Sequence, residues 1–344
     1  MIGIIAPYPL SSLLLHYHNC TKAFQLQLTF SASSKPSGLA VVHLARAAKQ
    51  TTFTRKTRIV AQNADAAAAA ESKGAMGWVE FPRMSGASLL LMESVAESME
   101  KELGSGLNPS RTPADVSYFK NSEGNAEGSI NIRSGKEGSK IDFVLGSWLS
   151  CNLPFGSLHI STLIAMLGPD TDAPHLLFEF IQNGQDSLVL VFDLLPRKDL
   201  VLEPEYLQRF YEETRLEAIR QELENAPESE RYISSSLYVR SVVSPTALLF
   251  KVNGISPSGK PIEGGIERVI SELLHPAVKK AFGVWLQSFQ TLGRQVTEQE
   301  RSFLVKRDEQ IMSKGVEVDL SANMPRLFGQ KIADRVVAAF RKRE

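Results

Sequence analysis

The first 64 residues contain no Asp or Glu, while Lys22, Lys35, Arg46, Lys49, Arg55, Lys56 and Arg58 fall within them. The chain of 344 residues has a formal net charge of zero, so everything after this segment is acidic by seven charges. An acidic body argues against a general nucleic-acid binder, which needs a basic surface for phosphates. Cysteine is scarce too, with Cys20 and Cys151 alone. If Cys20 leaves with a cleaved leader, neither an internal disulfide nor a thiolate metal cluster can form. No apolar run reaches the roughly 20 residues that a transmembrane helix needs. Nucleotide motifs are missing as well. In "GISPSGKP" a Pro, Pro261, stands where a phosphate loop needs a hydroxyl, and "GSGLNP" lacks the third glycine of a dinucleotide fingerprint. His159, His175 and His275 have no ligand spacing, and there is no nucleophile elbow or Cys/His protease signature.

What the N-terminus does contain is Ser, Thr and scattered basic residues, followed by the Ala-rich "NADAAAAAESKGAMG". That composition reads as an organelle transit peptide and suits a plastid; a native disordered tail is the other reading. Residues 1–76 are therefore expected to be leader and linker, with cleavage between Arg58 and Gly77, and 77–344 a single catalytic domain. At 43% hydrophobic and 22% charged residues, the chain can bury a globular core.

Beyond the linker, Leu89, Met92, Ala96, Met99 and Leu103 repeat at helical spacing. Five strand-like runs follow: "GSINIRSG", "SKIDFVLGSWLS", "GSLHISTLIAML", "HLLFEFIQNG" and "DSLVLVFDLLP". The breaks between them are too short for crossover helices, so the spacing predicts an antiparallel meander. A helix is expected to open at Pro204, with Leu207, Tyr211, Ile219 and Leu223 inward. A strand pair is predicted at "LYVRSVVS" and "TALLFKVNG". After it come a helix from Pro276 carrying Val278, Phe282, Trp285 and Phe289, a polar helix, a short strand at "GVEVDLS" and a last helix with Ile332, Val336 and Phe340. The pattern predicts an α+β fold, an α/β/α sandwich whose central, mainly antiparallel sheet is flanked by helices.

Two acids stand out. Glu179 lies between Phe178 and Phe180, sharing a strand face with Leu177 and Ile181. Either it sits near a sheet edge and meets water or a cation, or it is buried, where a carboxyl tends to hold its proton and can serve as a proton donor. Asp319 shares a face with Glu317 in "GVEVDLS". That face is either plain solvent or part of a pocket in which two carboxyls support proton-coupled chemistry.

The stretches "IDFVLGSWLSCNLPFGSL", "FEFIQ", "LVLVFDLLPRKDLVLEPEYLQRFYE", "YVRSVVSPTA" and "EVDLSANMPRLFG" resemble the red chlorophyll catabolite reductases, in order and from about Trp78 to about Phe340. The resemblance implies a fold related to the ferredoxin-dependent bilin reductases, with no flavin, metal or nicotinamide bound. It implies reduction of red chlorophyll catabolite, an open-chain tetrapyrrole, at a methine bridge to the primary fluorescent catabolite in the chloroplast stroma. Reduced ferredoxin supplies the electrons, and Glu179 and Asp319 match the family's proton-donating acids. Arg240, Ser241, Val243 and Pro245 are the expected substrate-binding residues, with Arg240 suited either to a propionate or to an ordinary surface ion pair and the size of Val243 tuning product stereochemistry. A homodimer and association with the oxygenase that makes the substrate are implied on the same footing. Two departures, the Gly/Pro-rich "GISPSGKPIEGGIE" and the long N-terminal extension, bear on loop structure and the cleavage site. A sequestering tetrapyrrole-binding protein and a reductase of phytobilins are the competing readings. Docking an acidic ferredoxin on an acidic chain calls for a local basic patch. The candidates are Arg197 and Lys198, Lys279 and Lys280, and the C-terminal Arg326, Lys331, Arg335, Arg341 and Lys342.

Overall fold

Alternating side chains along five long strands build the frame. In the computed structural model, which describes residues 78–341 apart from 85, 154–155, 185, 257–258 and 316–319, these runs form one antiparallel sheet. The strands are β1 (Leu107–Ser110), β2 (Phe119–Lys120), β3 (Ala126–Gly135), β4 (Ile141–Leu153), β5 (Gly156–Leu167), β6 (His175–Asn183), β7 (Ser187–Leu195), β8 (Ser229–Arg231) and β9 (Leu248–Asn253). Their order is β1-β3-β4-β5-β6-β7-β9-β8, with β2 beside β3. From β3 to β7 each strand pairs antiparallel with the next, which is the expected meander. The expected leader and linker, residues 1–76, lie outside the described residues.

Both faces of the central strands are apolar because both are covered. On β6, Leu176, Phe178 and Phe180 enter one core, and Leu177 and Ile181 the other. The first core is closed by α1 (Gly86–Leu103), α2 (Leu216–Glu224) and α4 (His275–Gln287). Trp285 of α4 is fully buried there, and its indole N–H donates to the Pro174 carbonyl at 3.1 Å. Gly146 on β4 admits the incoming chain, since a Cβ there would stand 2.8 Å from Val79. The second core is closed by α3 (Leu237–Val242), the end of α5 (Glu298–Gly315), α6 (Ser321–Phe328) and α7 (Gln330–Arg341). The result is the α/β/α sandwich expected from the sequence.

Two local expectations differ. "LYVRSVVS" is helical in α3, not a strand, although its β-branched residues favour extension. Ser236 caps the helix, its Oγ accepting from the Val239 amide at 3.3 Å, and this local bond outweighs propensity. The helix from Pro204 breaks after a wide turn at Gln208–Glu212 and resumes as α2. As for "GVEVDLS", its Gly315 ends α5 and its Ser321 opens α6, while 316–319 lie outside the described residues.

Candidate active site

Glu179 sits in the interior of the sheet, with four strands on one side of β6 and three on the other. The sheet-edge reading is therefore excluded, and the side chain is 0% exposed. It shares the second face with Leu177 and Ile181, as the alternation requires. Directly opposite on β5 is Thr162, whose hydroxyl donates to Glu179 Oε1 at 3.0 Å. A carboxyl in such a place is costly unless polar neighbours meet it, and this donor belongs to its support.

One strand over, Asp193 occupies the same face of β7. It is paired with Leu177, so it stands diagonally from Glu179, about 7–8 Å away at the backbone. Asp193 is also buried, and Ser244 holds it through two contacts: the amide donates to Oδ2 at 2.9 Å and the hydroxyl to Oδ1 at 2.5 Å. Burial pushes its pKa up to about 6, against the pull of those Ser244 bonds. Sequence reasoning missed Asp193, although "LVFDLLP" carries the same signal as "FEFIQ", a lone acid in an apolar run.

The same face of β6 begins with His175, which anchors a helix. The Leu167 amide donates to His175 Nδ1 at 3.0 Å, so Nε2 carries the hydrogen and faces Asp308 Oδ1 of α5 at 2.9 Å. Arg197 completes the network, donating to Asp308 Oδ2 at 2.6 Å and to the carbonyls of Thr171 and Gly168 at 2.6 and 3.0 Å. Burial lowers the pKa of His175. Burial opposes the charge of Asp308, but His175 and Arg197 together outweigh it and hold that carboxyl below its usual range. This geometry corrects one expectation. Arg197 and Lys198 are buried, Lys198 with Glu300 at 2.6 Å, so neither offers a docking surface. The other basic candidates Arg326, Lys331 and Arg341 are exposed, as are Lys279 and Lys280, while Arg335 is half-buried beside Asp115. Lys342 lies outside the described residues.

The expected substrate-binding residues fall at the end of α3. Val243 is half-buried against the second core, whereas Arg240, Ser241 and Pro245 are exposed. The residue that ties this segment to the Glu179 face is Ser244, between two of those named. Asp319 lies outside the described residues, so Glu179 is the acid of the expected pair whose surroundings are defined. Among the described residues no group of three or more His, Cys, Asp or Glu could hold a metal ion. Cys151 is buried on this face, its thiol pushed up to about 12 by burial. No helix among the described residues is long and apolar enough to cross a membrane.

The arrangement is an interior face bearing two buried carboxyls on neighbouring strands inside an apolar wall. Comparisons with known proteins bear on the family and the fold. The family model for red chlorophyll catabolite reductase (RCC reductase) matches residues 87–342. The chain is 42% identical over 251 residues to red chlorophyll catabolite reductase 1, chloroplastic, of Oryza sativa subsp. japonica, covering 72% of this chain and 75% of that one. It is 40% identical over 269 residues to the chloroplastic red chlorophyll catabolite reductase of Arabidopsis thaliana, covering 77% and 82%. To the Hordeum vulgare red chlorophyll catabolite reductase it is 43% identical over 202 residues, 59% of this chain and 97% of that one. Among solved structures, phytochromobilin synthase from tomato in complex with biliverdin shares the fold, with a TM-score of 0.54 at 15% identity over 73% of this chain and 82% of that one.

Proposed function

Because this chain belongs to the red chlorophyll catabolite reductase family, its reaction is the reduction of red chlorophyll catabolite in chlorophyll breakdown, and we propose that Glu179 supplies a proton to it. The reaction takes place in the chloroplast, as the names of the rice and Arabidopsis relatives indicate. Saturating a methine bridge of the open-chain tetrapyrrole needs two electrons and two protons. In our reading the electrons arrive singly from reduced ferredoxin in the stroma, and the protons come from Glu179 and Asp319. The observation that carries the reading is the burial of Glu179 in the middle of the sheet, where a carboxyl among apolar side chains is costly and marks a candidate functional group.

Ferredoxin is proposed to dock on the C-terminal helices α6 and α7, where Arg326, Lys331 and Arg341 are exposed on the elements that close the second core. Val243, packed half-buried on that core, is proposed as the wall residue that selects which face of the pigment is protonated. A homodimer and direct transfer from the substrate-making oxygenase complete the proposal. The test is an anaerobic assay of the chain from Gly77 onward with red chlorophyll catabolite and a ferredoxin-reducing system, watching for a blue-fluorescent product. Ferredoxin-dependent fluorescence is the expected outcome. Pigment binding without product would make the chain a sequestering protein, and turnover of phytobilins alone would move it to the other reductases.

A further inference from the structure

Three polar side chains stand in one row across the middle of the sheet. Ser147 on β4 is directly opposite Thr162 on β5, and Thr162 is directly opposite Glu179 on β6. All three are 0% exposed. Around them the same face is built of Leu145, Leu149, Ile160, Ile164, Leu177 and Ile181. Side chains directly opposite in an antiparallel pair touch, so the row is contiguous. A row kept for stability alone would have its hydroxyls satisfied or replaced by Val and Ala, yet Ser147 Oγ has no hydrogen-bond partner among the described residues.

We infer that Thr162 is a positioning residue for Glu179, fixing through its hydrogen bond which carboxyl oxygen releases the proton. The inference rests on the reading of Glu179 as a proton donor. A threonine hydroxyl has one hydrogen to give, and here it goes to Oε1 at 3.0 Å. Oε1 is thereby the accepting, carbonyl-type oxygen of the protonated acid, and the transferable proton belongs on Oε2. When that proton moves to the pigment, the charge left on the carboxylate strengthens the Thr162 bond, since bonds to an ionised acceptor are the stronger kind. The bond thus favours the transition state over the bound ground state, which lowers the barrier without tightening substrate binding. Ser147, next in the row, is a second buried hydroxyl residue on the strand position opposite Thr162.

The experiment compares kcat and KM of the wild type, Thr162→Val, Thr162→Ser, Glu179→Gln and the double variant Thr162→Val/Glu179→Gln, each checked by its melting curve. Thr162→Val should lower kcat about tenfold with KM nearly unchanged, and Thr162→Ser should restore kcat because the donor is back. In the Glu179→Gln background Thr162→Val should add nothing, because its effect passes through that carboxyl. If Val at 162 does not fold, Thr162→Ala carries the same comparison. An impaired Glu179→Gln beside a fully active Thr162→Val, or a loss from Thr162→Val that is undiminished in the Glu179→Gln background, overturns the role of Thr162 alone. Full activity in Glu179→Gln overturns the proton-donor reading and this inference together.

Discussion

Ser244 meets Asp193 with both of its polar groups, the amide on Oδ2 at 2.9 Å and the hydroxyl on Oδ1 at 2.5 Å. This clamp fixes the turn between α3 and β9 to the face that carries Glu179. The burial of Asp193, against the pull of that clamp, makes stability depend on pH. The folded pKa of Asp193, about 6, lies above its ordinary value of 3.8. The folded state therefore holds the proton more tightly than the unfolded chain between those values. The contribution is fully present below about pH 4 and is lost as the pH rises through 6, a change on the order of 3 kcal/mol. Asp193→Asn keeps an acceptor for the amide and offers a donor to the hydroxyl, and it does not titrate. Relative to the wild type, the variant should gain stability from pH 4 to pH 7. Urea unfolding at both values checks this; a constant difference would show that Asp193 titrates normally.

Glu179→Gln should fold and bind pigment while turning over at least about a hundredfold more slowly, because the amide keeps the shape and can still accept from Thr162 but has no acidic proton. Pigment titration by absorbance, set beside anaerobic turnover, separates the two effects. Loss of binding in step with turnover would reassign Glu179 to holding the substrate.

Asp308→Ala should destabilise the protein by about 3 to 5 kcal/mol, since Arg197, 0% exposed, would lose its carboxylate partner inside the protein. Chemical denaturation measures it. A loss under about 1 kcal/mol would mean that the Gly168 and Thr171 carbonyls satisfy the guanidinium on their own.

Lys331→Glu should raise the KM for ferredoxin several-fold and reduce the salt sensitivity of the rate, leaving pigment affinity unchanged, if α7 forms part of the docking face. Steady-state kinetics over a range of salt concentrations would show it. Salt-independent rates in the wild type would remove electrostatic docking from the account.

Val243→Phe should alter the ratio of product epimers, resolved by chromatography, because a larger half-buried side chain changes the wall beside the Asp193 clamp. An unchanged ratio would send the selection of the pigment face to another residue.

The meander could be read from the chain because period-two alternation and Gly, Asn and Pro breaks are local signals, and β3 to β7 obey them. Glu179 was visible for the same reason: one polar residue spoils an apolar run. Asp193 gives the same signal in "LVFDLLP", a lone acid in an apolar strand. What stayed hidden depends on partners distant in sequence. "PRKD" looks like a surface turn, and only the arrival of Asp308 and Glu300, each more than 100 positions away, shows that Arg197 and Lys198 are interior groups. The helix at α3 was hidden by a different conflict, since a single capping bond at Ser236 decided between two conformations that the β-branched residues left close in energy.

Strand β6 delivers His175 to the anchor of α5 and Glu179 to Thr162 on the face of the second core, from positions four residues apart on one side of the pleat. Even spacing is what lets one strand serve both. Over evolutionary time this makes the four-residue interval intolerant of length change, whatever substitutions it accepts. A single inserted residue would turn one of the two side chains through the sheet into the opposite core, where Phe178 and Phe180 now pack. Natural variation in this enzyme should therefore run through the side chains of β6 and never through its length.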